Sequence, residues 1–374
     1  MHMKLTKAIL ILSGMIIGVG MFGIPFSFAK AGFLIGTLEL FILTGVVMLL
    51  HILYGEIIMA TPSTHRLPGY VSLHLGSAWG KTAGLFSIFG IAGSLLAYIV
   101  IGAGFLQEIM RHIIPGSNTF IWALALTAGA GILALYPLKK EAKINGALTV
   151  VLLGLILFLS AKLFPYVNLD NLWVARAENF FIPYGVLIFA LSGSAAIPDV
   201  VSLLQKKKKG IRTAIVAGTL LPGFLYFIFS LAVIGSVGKN VSPEAIQGLK
   251  LIFSEKIIIL GSIIGFLAVA TSFFTLSRYL KELLQLDFAI PKALAWASAI
   301  WVPFFFYMLG FDNFLAIIGI VGVVSGGAEA TFLITVYHRI KSKELSPSLF
   351  SYGWKTALLV MFLGGVVYEI IYSL

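Results

Sequence analysis

The sequence predicts an all-α polytopic membrane protein with eleven transmembrane helices. Of its 374 residues, 59% are hydrophobic and only 11% are charged, whereas soluble domains carry about 45–50% apolar and about 25% charged residues. The apolar residues form long continuous runs, each near the roughly 20 residues that cross a bilayer as a helix. Outer-membrane barrels show short alternating segments instead. The lack of cysteine excludes disulfides, thiolate metal sites and cysteine nucleophiles.

Eleven apolar runs, separated by charged or turn-rich segments, are predicted to span the membrane. Most of the 26 basic residues fall on the side of the N-terminus. The positive-inside rule therefore predicts a multi-pass protein of the cell membrane with a cytoplasmic N-terminus and, since the number of spans is odd, an extracytoplasmic C-terminus. The four lysines at 206–209 are interpreted as a topology anchor, and no nucleic-acid partner is expected. The runs lie near residues 8–30, 33–59, 83–110, 118–137, 144–164, 180–203, 213–237, 252–280, 290–309, 313–337 and 353–373.

The first and sixth spans each contain a point where a helix is easily interrupted. Span 1 carries the glycine-rich string SGMIIGVGMFGIP, and span 6 carries Ser192-Gly193-Ser194 followed by an Ile-Pro pair. In each span a glycine, Gly20 or Gly193, precedes that proline by five residues. Interruptions at corresponding positions of two halves indicate the binding site of an inverted-repeat transporter. The alternative is that these glycines and prolines serve only helix packing or kinks.

Breaks of this kind suit an α-amino acid. A break frees N–H groups at the start of one half-helix and C=O groups at the end of the other, with opposite partial charges. We expect the carboxylate near Gly20, Met21 and Phe22 and the ammonium near the carbonyls of Ile16, Ile17, Leu191 and Ser192. Phe22, Phe189, Phe273 and Phe274 are expected to line an apolar subsite, which favours large neutral or aromatic substrates. The other candidate binding residues are Gly18, Tyr98, Gly193 and Ser194.

Ionisable residues inside spans are functional candidates by default. Glu56 and Asp199 lie near the predicted cytoplasmic ends, where solvated or gate-pairing roles are expected, and His51 is interpreted as a hydrogen-bonded core histidine. Glu39 and Glu329 lie deeper, and both structural pairing and proton coupling remain open for them. The string Gly76 to Thr82 lacks the spacing of a phosphate-binding loop, and no catalytic motif is present, so neither an enzyme nor a cofactor is expected.

Three motifs resemble those of the aromatic and hydroxy amino acid permeases, a family of the amino acid, polyamine and organocation superfamily. They are GVGMFGIPFSFAKAGF in span 1, Glu56 with the following LPGY turn and LGSAWGK, and AVATSF at 268–273 in span 8. The resemblance implies the LeuT-type fold: one transporter domain over 1–374, with inverted repeats of five spans near 8–164 and 180–337 and an extra helix near 353–373. Span 6 departs from the family, because small residues replace an aromatic-histidine pair.

The resemblance also implies a gate and a coupling ion. Phe189 begins the string FALS, which is similar to the F-x-L-S of neurotransmitter-type sodium symporters, and this implies that Phe189 closes the site on the outside. In the LeuT-type fold a cation site lies between the first half of span 1 and span 8. Here the possible sodium ligands are Ser13, Ile16, Ala268, Thr271 and Ser272. Because the resembled family is mainly proton-driven, sodium and proton both remain open.

The function predicted from the sequence is secondary active, cation-coupled symport of neutral amino acids by alternating access. The alternative is a membrane-embedded amino acid sensor or ion channel on the same scaffold. A channel would be expected to show a ring-like filter, and the sequence indicates none. A sensor would be expected to carry an output domain, and the sequence indicates none. The expected partners are the amino acid substrate and the lipid bilayer, and the sequence leaves the oligomeric state open.

Overall fold

A computed structural model describes residues 2–63, 65–135, 141–343 and 364–365, and nearly all of them are helical. The extra helix expected near 353–373 lies outside these residues, apart from Gly364 and Gly365. Short 3-10 turns connect several helices. Within the described residues the α-helices are α1 His2–Ile16, α2 Gly20–Ala31, α3 Phe33–Ala60, α4 Leu67–Leu75, α5 Ser77–Met110, α6 Thr119–Leu133, α7 Glu141–Leu163, α8 Ile182–Leu191, α9 Ile197–Leu203, α10 Lys208–Val237, α11 Glu255–Leu286, α12 Lys292–Met308 and α13 Phe314–Lys343.

The lengths of these helices fit a membrane protein. In the described part of the chain, seven helical segments are long and apolar enough to cross a bilayer, with α8 and α9 counted together, and the bent pair α1 and α2 would add an eighth. Two further apolar helices, α6 and α12, are shorter, with 15 and 17 residues. Together these segments coincide with the first ten predicted runs.

The same order of helices occurs twice along the chain. An interrupted pair, α1 with α2 or α8 with α9, is followed by two long helices, then by a short one, then by another long one. The short helix α4, between α3 and α5, is extra and has no counterpart in the second half. The two long helices have 28 and 34 residues in the first half and 30 and 32 in the second. This is the order that two repeats of five spans require, and the repeat boundaries themselves remain a prediction.

Two connections show why the helices end where they do. Gly32 separates α2 from α3 with φ 96°, a conformation that L side chains rarely adopt, and a side chain there would also collide with Val174 and Ala175. Leu67-Pro68-Gly69, expected as a turn, instead opens the helix α4, with Pro68 in its first turn. Proline fits there because its missing N–H would have no partner in any case.

The interrupted helices lie in the centre of the bundle. α1 packs against α7, α9 and α10, whereas α2 packs against α8 and α10. α13 packs against α3, α5 and α8. The core is therefore built around α1, α2 and α8, which places both breaks away from lipid and next to α5 and α13.

Candidate functional site

The first break lies between α1 and α2. α1 ends at Ile16, α2 begins at Gly20, and their axes differ by 56°. The N–H of Gly18 donates to the carbonyl of Ile16 at 2.9 Å and closes the turn. Within the described residues, the N–H groups of Gly20 and Met21 donate to no backbone carbonyl, as is usual in the first turn of a helix. The start of α2 therefore offers free donors with a partial positive charge.

The second break lies between α8 and α9. α8 ends at Leu191, Ser192 leaves the helix with ψ 124°, and a 3-10 turn covers Ser194–Ala196 before α9 begins at Ile197. Because the chain leaves the helix here, carbonyls in the last turn of α8 lose their usual N–H partners. The Phe189 carbonyl still accepts the N–H of Ser192 at 3.2 Å. The break therefore presents carbonyl acceptors with a partial negative charge, and not all of them are free.

A single tyrosine joins the two breaks. The hydroxyl of Tyr226, a fully buried residue of α10, lies 2.7 Å from the carbonyl oxygen of Ile16 and 3.0 Å from that of Ala190. These carbonyls belong to the last turns of α1 and α8. Since one hydroxyl carries one proton, the two carbonyls share it. Tyr226 therefore fixes the spacing between the two half-helix ends.

Both breaks line one wall of a cavity of about 140 Å³. The residues from the breaks that face it are Ile16, Gly18, Gly20, Ser192, Gly193 and Ser194, and Phe189 and Ala190 precede the second break. Tyr98 of α5 stands opposite Gly18, where an added Cβ would lie 3.1 Å from its hydroxyl oxygen and 3.7 Å from that of Ser272 of α11. α3, α5, α11 and α13 supply the remaining walls.

The cavity opens toward the end of the bundle that carries α4. Leu67 of α4 and Tyr279 of α11 line this mouth. The Arg66 guanidinium lies over the Tyr279 ring, 4.6 Å from its centroid, and pairs with Glu282 at 3.8 Å. Burial raises the pKa of the Asp287 carboxyl at the end of α11, while nearby cations act in the opposite direction. The mouth is thus a polar ring around an aromatic side chain.

The opposite end of the bundle is closed. Along α5, Ala83 and Phe86 line the cavity near its mouth and Tyr98 lies at the breaks, so Phe105 and Glu108 belong to the far end. The ring of Phe22 lies between those of Phe105 and Phe229, with centroid distances of 5.2 and 6.0 Å, and all three residues are buried. This aromatic layer separates the two breaks from the far end of the bundle, where Phe105 and Glu108 line a second cavity.

Comparison with known proteins agrees with this architecture. The sequence pattern that defines the tryptophan/tyrosine permease family matches residues 1–371. The chain belongs to this family. The predicted resemblance to an amino acid permease is confirmed, and the family consists of transport proteins, not enzymes, as predicted.

Individual relatives of the permease are distant but span nearly its whole length. Glutamine transporter 2 of Aliivibrio fischeri is 22% identical over 87% of this chain and 86% of its own. A tryptophan-specific transport protein of Shigella flexneri is 25% identical over 97% and 93%. The crystal structure of MhsT in complex with L-phenylalanine has a TM-score of 0.71 at 13% identity and covers 98% of both chains. The prediction of a LeuT-type fold is thereby confirmed.

Several residues predicted near the substrate have side chains that do not face the cavity of the permease. The side chains of Ile17, Met21, Phe22 and Leu191 are fully buried in the surrounding core. The reason is helical geometry: because α2 already begins at Gly20, the side chains that follow pack between helices, and only backbone groups at its start remain near the break. Phe273 is likewise fully buried and does not line the cavity. The substrate contacts expected of the backbone groups of Ile17, Met21 and Leu191 stay predictions.

The residues predicted for a cation site are only partly brought together. The Ser13 hydroxyl donates to the carbonyl of Gly218 on α10 at 3.1 Å, so it faces α10 and not α11. The carbonyl of Ile16 already accepts the hydroxyl of Tyr226. Ser272 lies near the first break through Tyr98, and Ala268 is fully buried. Thr271 belongs to α11, but its side chain is not among those that the structure describes.

Glu329 is a site residue whose position the sequence does not reveal. It lines the cavity from α13, and its carboxyl lies close to Ser194 of the second break. A carboxyl inside a span is a functional signal, yet only the packing of α13 against α8 brings it to the break. Tyr226 carries no such signal, since one tyrosine in an apolar span is ordinary packing.

Proposed function

We propose that this permease is a secondary active transporter that moves a neutral amino acid together with a cation by alternating access. The observation that carries the proposal is the meeting of two helix breaks on the wall of one central cavity. Free N–H groups at the start of α2 suit the substrate carboxylate, and carbonyls in the last turns of α1 and α8 suit its ammonium. No charged side chain is needed for this pairing.

Three amino acids named as substrates of the family and its relatives suggest the substrate class. They are tryptophan, tyrosine and glutamine. All three are neutral, and each ends in a side chain with an N–H or O–H donor. The cavity suits such side chains, because it combines the aromatic residues Phe86, Phe189 and Phe332 with several hydroxyls. We propose large neutral amino acids with a polar side-chain end as substrates.

The position of the cavity mouth supports alternating access. A transporter of this kind exposes its site to one side at a time. The mouth lies beside Arg66, Lys81 and the four lysines at 206–209, and basic segments of a multi-pass protein face the cytoplasm. We therefore assign the structure to an inward-facing state, with the aromatic layer around Phe22 as the closed outer side.

The coupling ion is either sodium or a proton. The Ser272 hydroxyl beside the first break is an oxygen ligand that sodium would accept, whereas the Ser13 hydroxyl faces α10 and is not part of such a site. A proton would instead need a carboxyl within the spans, and Glu39 and Glu329 are the candidates. Transport measurements under separate sodium and proton gradients distinguish the two.

Counterflow in liposomes tests the proposal. The purified permease is reconstituted with unlabelled tryptophan inside, and entry of labelled tryptophan is compared with empty liposomes. We expect entry that unlabelled tryptophan, tyrosine and glutamine inhibit more strongly than glycine or glutamate do, and accumulation when either a sodium or a proton gradient is imposed. Absence of amino acid counterflow, or an ion conductance that needs no amino acid, contradicts the proposal.

A further inference from the structure

The cavity contains one acidic side chain within the described part of the chain. Glu329 of α13 lines it, together with Gly322 and Ser325 from the same face of that helix. Ser194, two residues beyond the point where α8 is interrupted, lines the same cavity, and the Glu329 carboxyl lies close to it. The carboxyl is therefore near the break at which the substrate backbone is proposed to bind.

The surroundings of Glu329 leave its oxygens available to a ligand. Tyr54 of α3 and Tyr279 of α11 also line the cavity and are close enough to interact with the carboxyl electrostatically. No lysine or arginine is among the described residues that line the cavity. Arg66, beyond Tyr279, is engaged with Glu282. A carboxylate offers about four acceptor positions, and the neighbouring Ser194 hydroxyl can donate to only one of them.

We propose that Glu329, which lines the cavity, accepts a hydrogen bond from the N–H or O–H at the end of the substrate side chain and so determines specificity. This inference rests on the proposed transport function and names the group that recognises the side chain of the substrate. A substrate without that donor leaves the carboxylate desolvated and unpaired, which is costly in a buried site. A site built to bind a donor rejects analogues that lack it far more strongly than an apolar pocket rejects a change in size.

Pairs of amino acids that differ only in this donor provide the test. Inhibition constants against labelled tryptophan counterflow are measured for tyrosine and phenylalanine, and for tryptophan and 1-methyltryptophan, with 5-methyltryptophan as a control for the added methyl group. A charge-assisted hydrogen bond predicts that the donor-bearing member of each pair binds about tenfold or more tightly in the unaltered permease. 5-Methyltryptophan should bind like tryptophan.

Variants then assign the preference to Glu329. Glu329→Leu should bring both ratios close to one, whereas Glu329→Gln should keep part of the preference because its amide oxygen still accepts a hydrogen bond. Ser194→Ala should reduce the ratios by freeing the carboxyl from its position. The matched control is Glu108→Gln, which alters a carboxyl of α5 at the far end of the bundle that does not line the cavity. It should leave both ratios unchanged.

The outcomes separate this inference from the proposed function. Equal binding of both members of each pair by the unaltered permease, which needs no variant to fold, overturns the role of Glu329 and leaves transport intact. Inhibition by lysine as strong as by tryptophan, lost in Glu329→Gln, overturns it as well, because the carboxylate would then be a counter-ion for cationic substrates. Absence of all amino acid counterflow overturns both proposals.

Discussion

Alanine substitutions at Gly20 and Gly18 should have different effects, although the two glycines are only two residues apart. At Gly20 an added Cβ would lie 2.7 Å from the Cα of Ala190 and 2.9 Å from its Cβ. The first of these is backbone of α8 and cannot rotate away, so α2 and α8 must separate. At Gly18 the nearest atoms are the hydroxyl oxygens of Tyr98 and Ser272, at 3.1 and 3.7 Å. There the methyl group projects toward the cavity.

These distances set the expected magnitudes. Overpacking of a tight helix contact costs about 1–3 kcal/mol, so Gly20→Ala should lower thermal stability. Gly18→Ala should leave stability close to that of the unaltered protein, because the neighbouring hydroxyls need to give only slightly. Its methyl group occupies the place next to Tyr98 where the substrate is proposed to bind. We expect Gly18→Ala to remove one hydrogen bond to the charged backbone groups of the substrate, which corresponds to a loss of about tenfold or more in substrate affinity.

Thermal unfolding in detergent and binding of labelled tryptophan measure both effects. Gly45→Ala in α3 is the matched control, because a Cβ there meets nothing within 4 Å and alanine suits a helix better than glycine. We expect a lower Tm for Gly20→Ala, weaker binding at nearly normal Tm for Gly18→Ala, and neither change for Gly45→Ala. A normal Tm for Gly20→Ala would refute the close contact of α2 with α8, and normal binding by Gly18→Ala would refute the position of the substrate.

Three further predictions concern the bridge, the ion and the topology. Tyr226→Phe removes the proton that two buried carbonyls share, so it should destabilise the fold by about 1–3 kcal/mol and weaken tryptophan binding; unchanged Tm and binding would contradict the bridge. Thr271→Ala combined with Ser272→Ala should abolish sodium dependence of uptake if sodium is the coupling ion, and uptake that follows a pH gradient and ignores sodium would exclude that ion. A reporter active only outside the cytoplasm should work when fused after Leu374, whereas cytoplasmic activity would show that a span has been miscounted.

The sequence is sufficient to predict the helices, because they depend on local composition. Runs of apolar residues long enough to span a membrane are an unambiguous signal, and ten of them coincide with helical segments of the structure. The weak points around Gly18 and Gly193 are equally local, since they arise from glycine and proline in an apolar helix. α4 is missed because it is short and begins with a Pro-Gly pair that is also typical of turns.

The composition of the site is less accessible from the sequence, because it depends on which face each helix turns toward the cavity. Met21 and Phe22 follow the first break directly and still point into the core. Tyr226 lies in a different span from both breaks, and no motif marks it, yet its hydroxyl is the contact that they share. Contacts of this kind arise only after the helices have packed.

The packing of α13 against α8 determines where the Glu329 carboxyl lies, which its position in an apolar span does not reveal. α8 and α13 touch through their backbones: an added Cβ at Gly185 would lie 2.6 Å from the carbonyl oxygen of Gly319, and one at Gly322 would lie 2.9 Å from the amide nitrogen of Phe189. Small residues allow this approach of two helices within a membrane. Glu329 follows Gly322 by two helical turns and therefore shares its face. The same glycine contact that joins the helices thus brings the carboxyl to the end of α8, where the chain is interrupted and Ser194 can bind it.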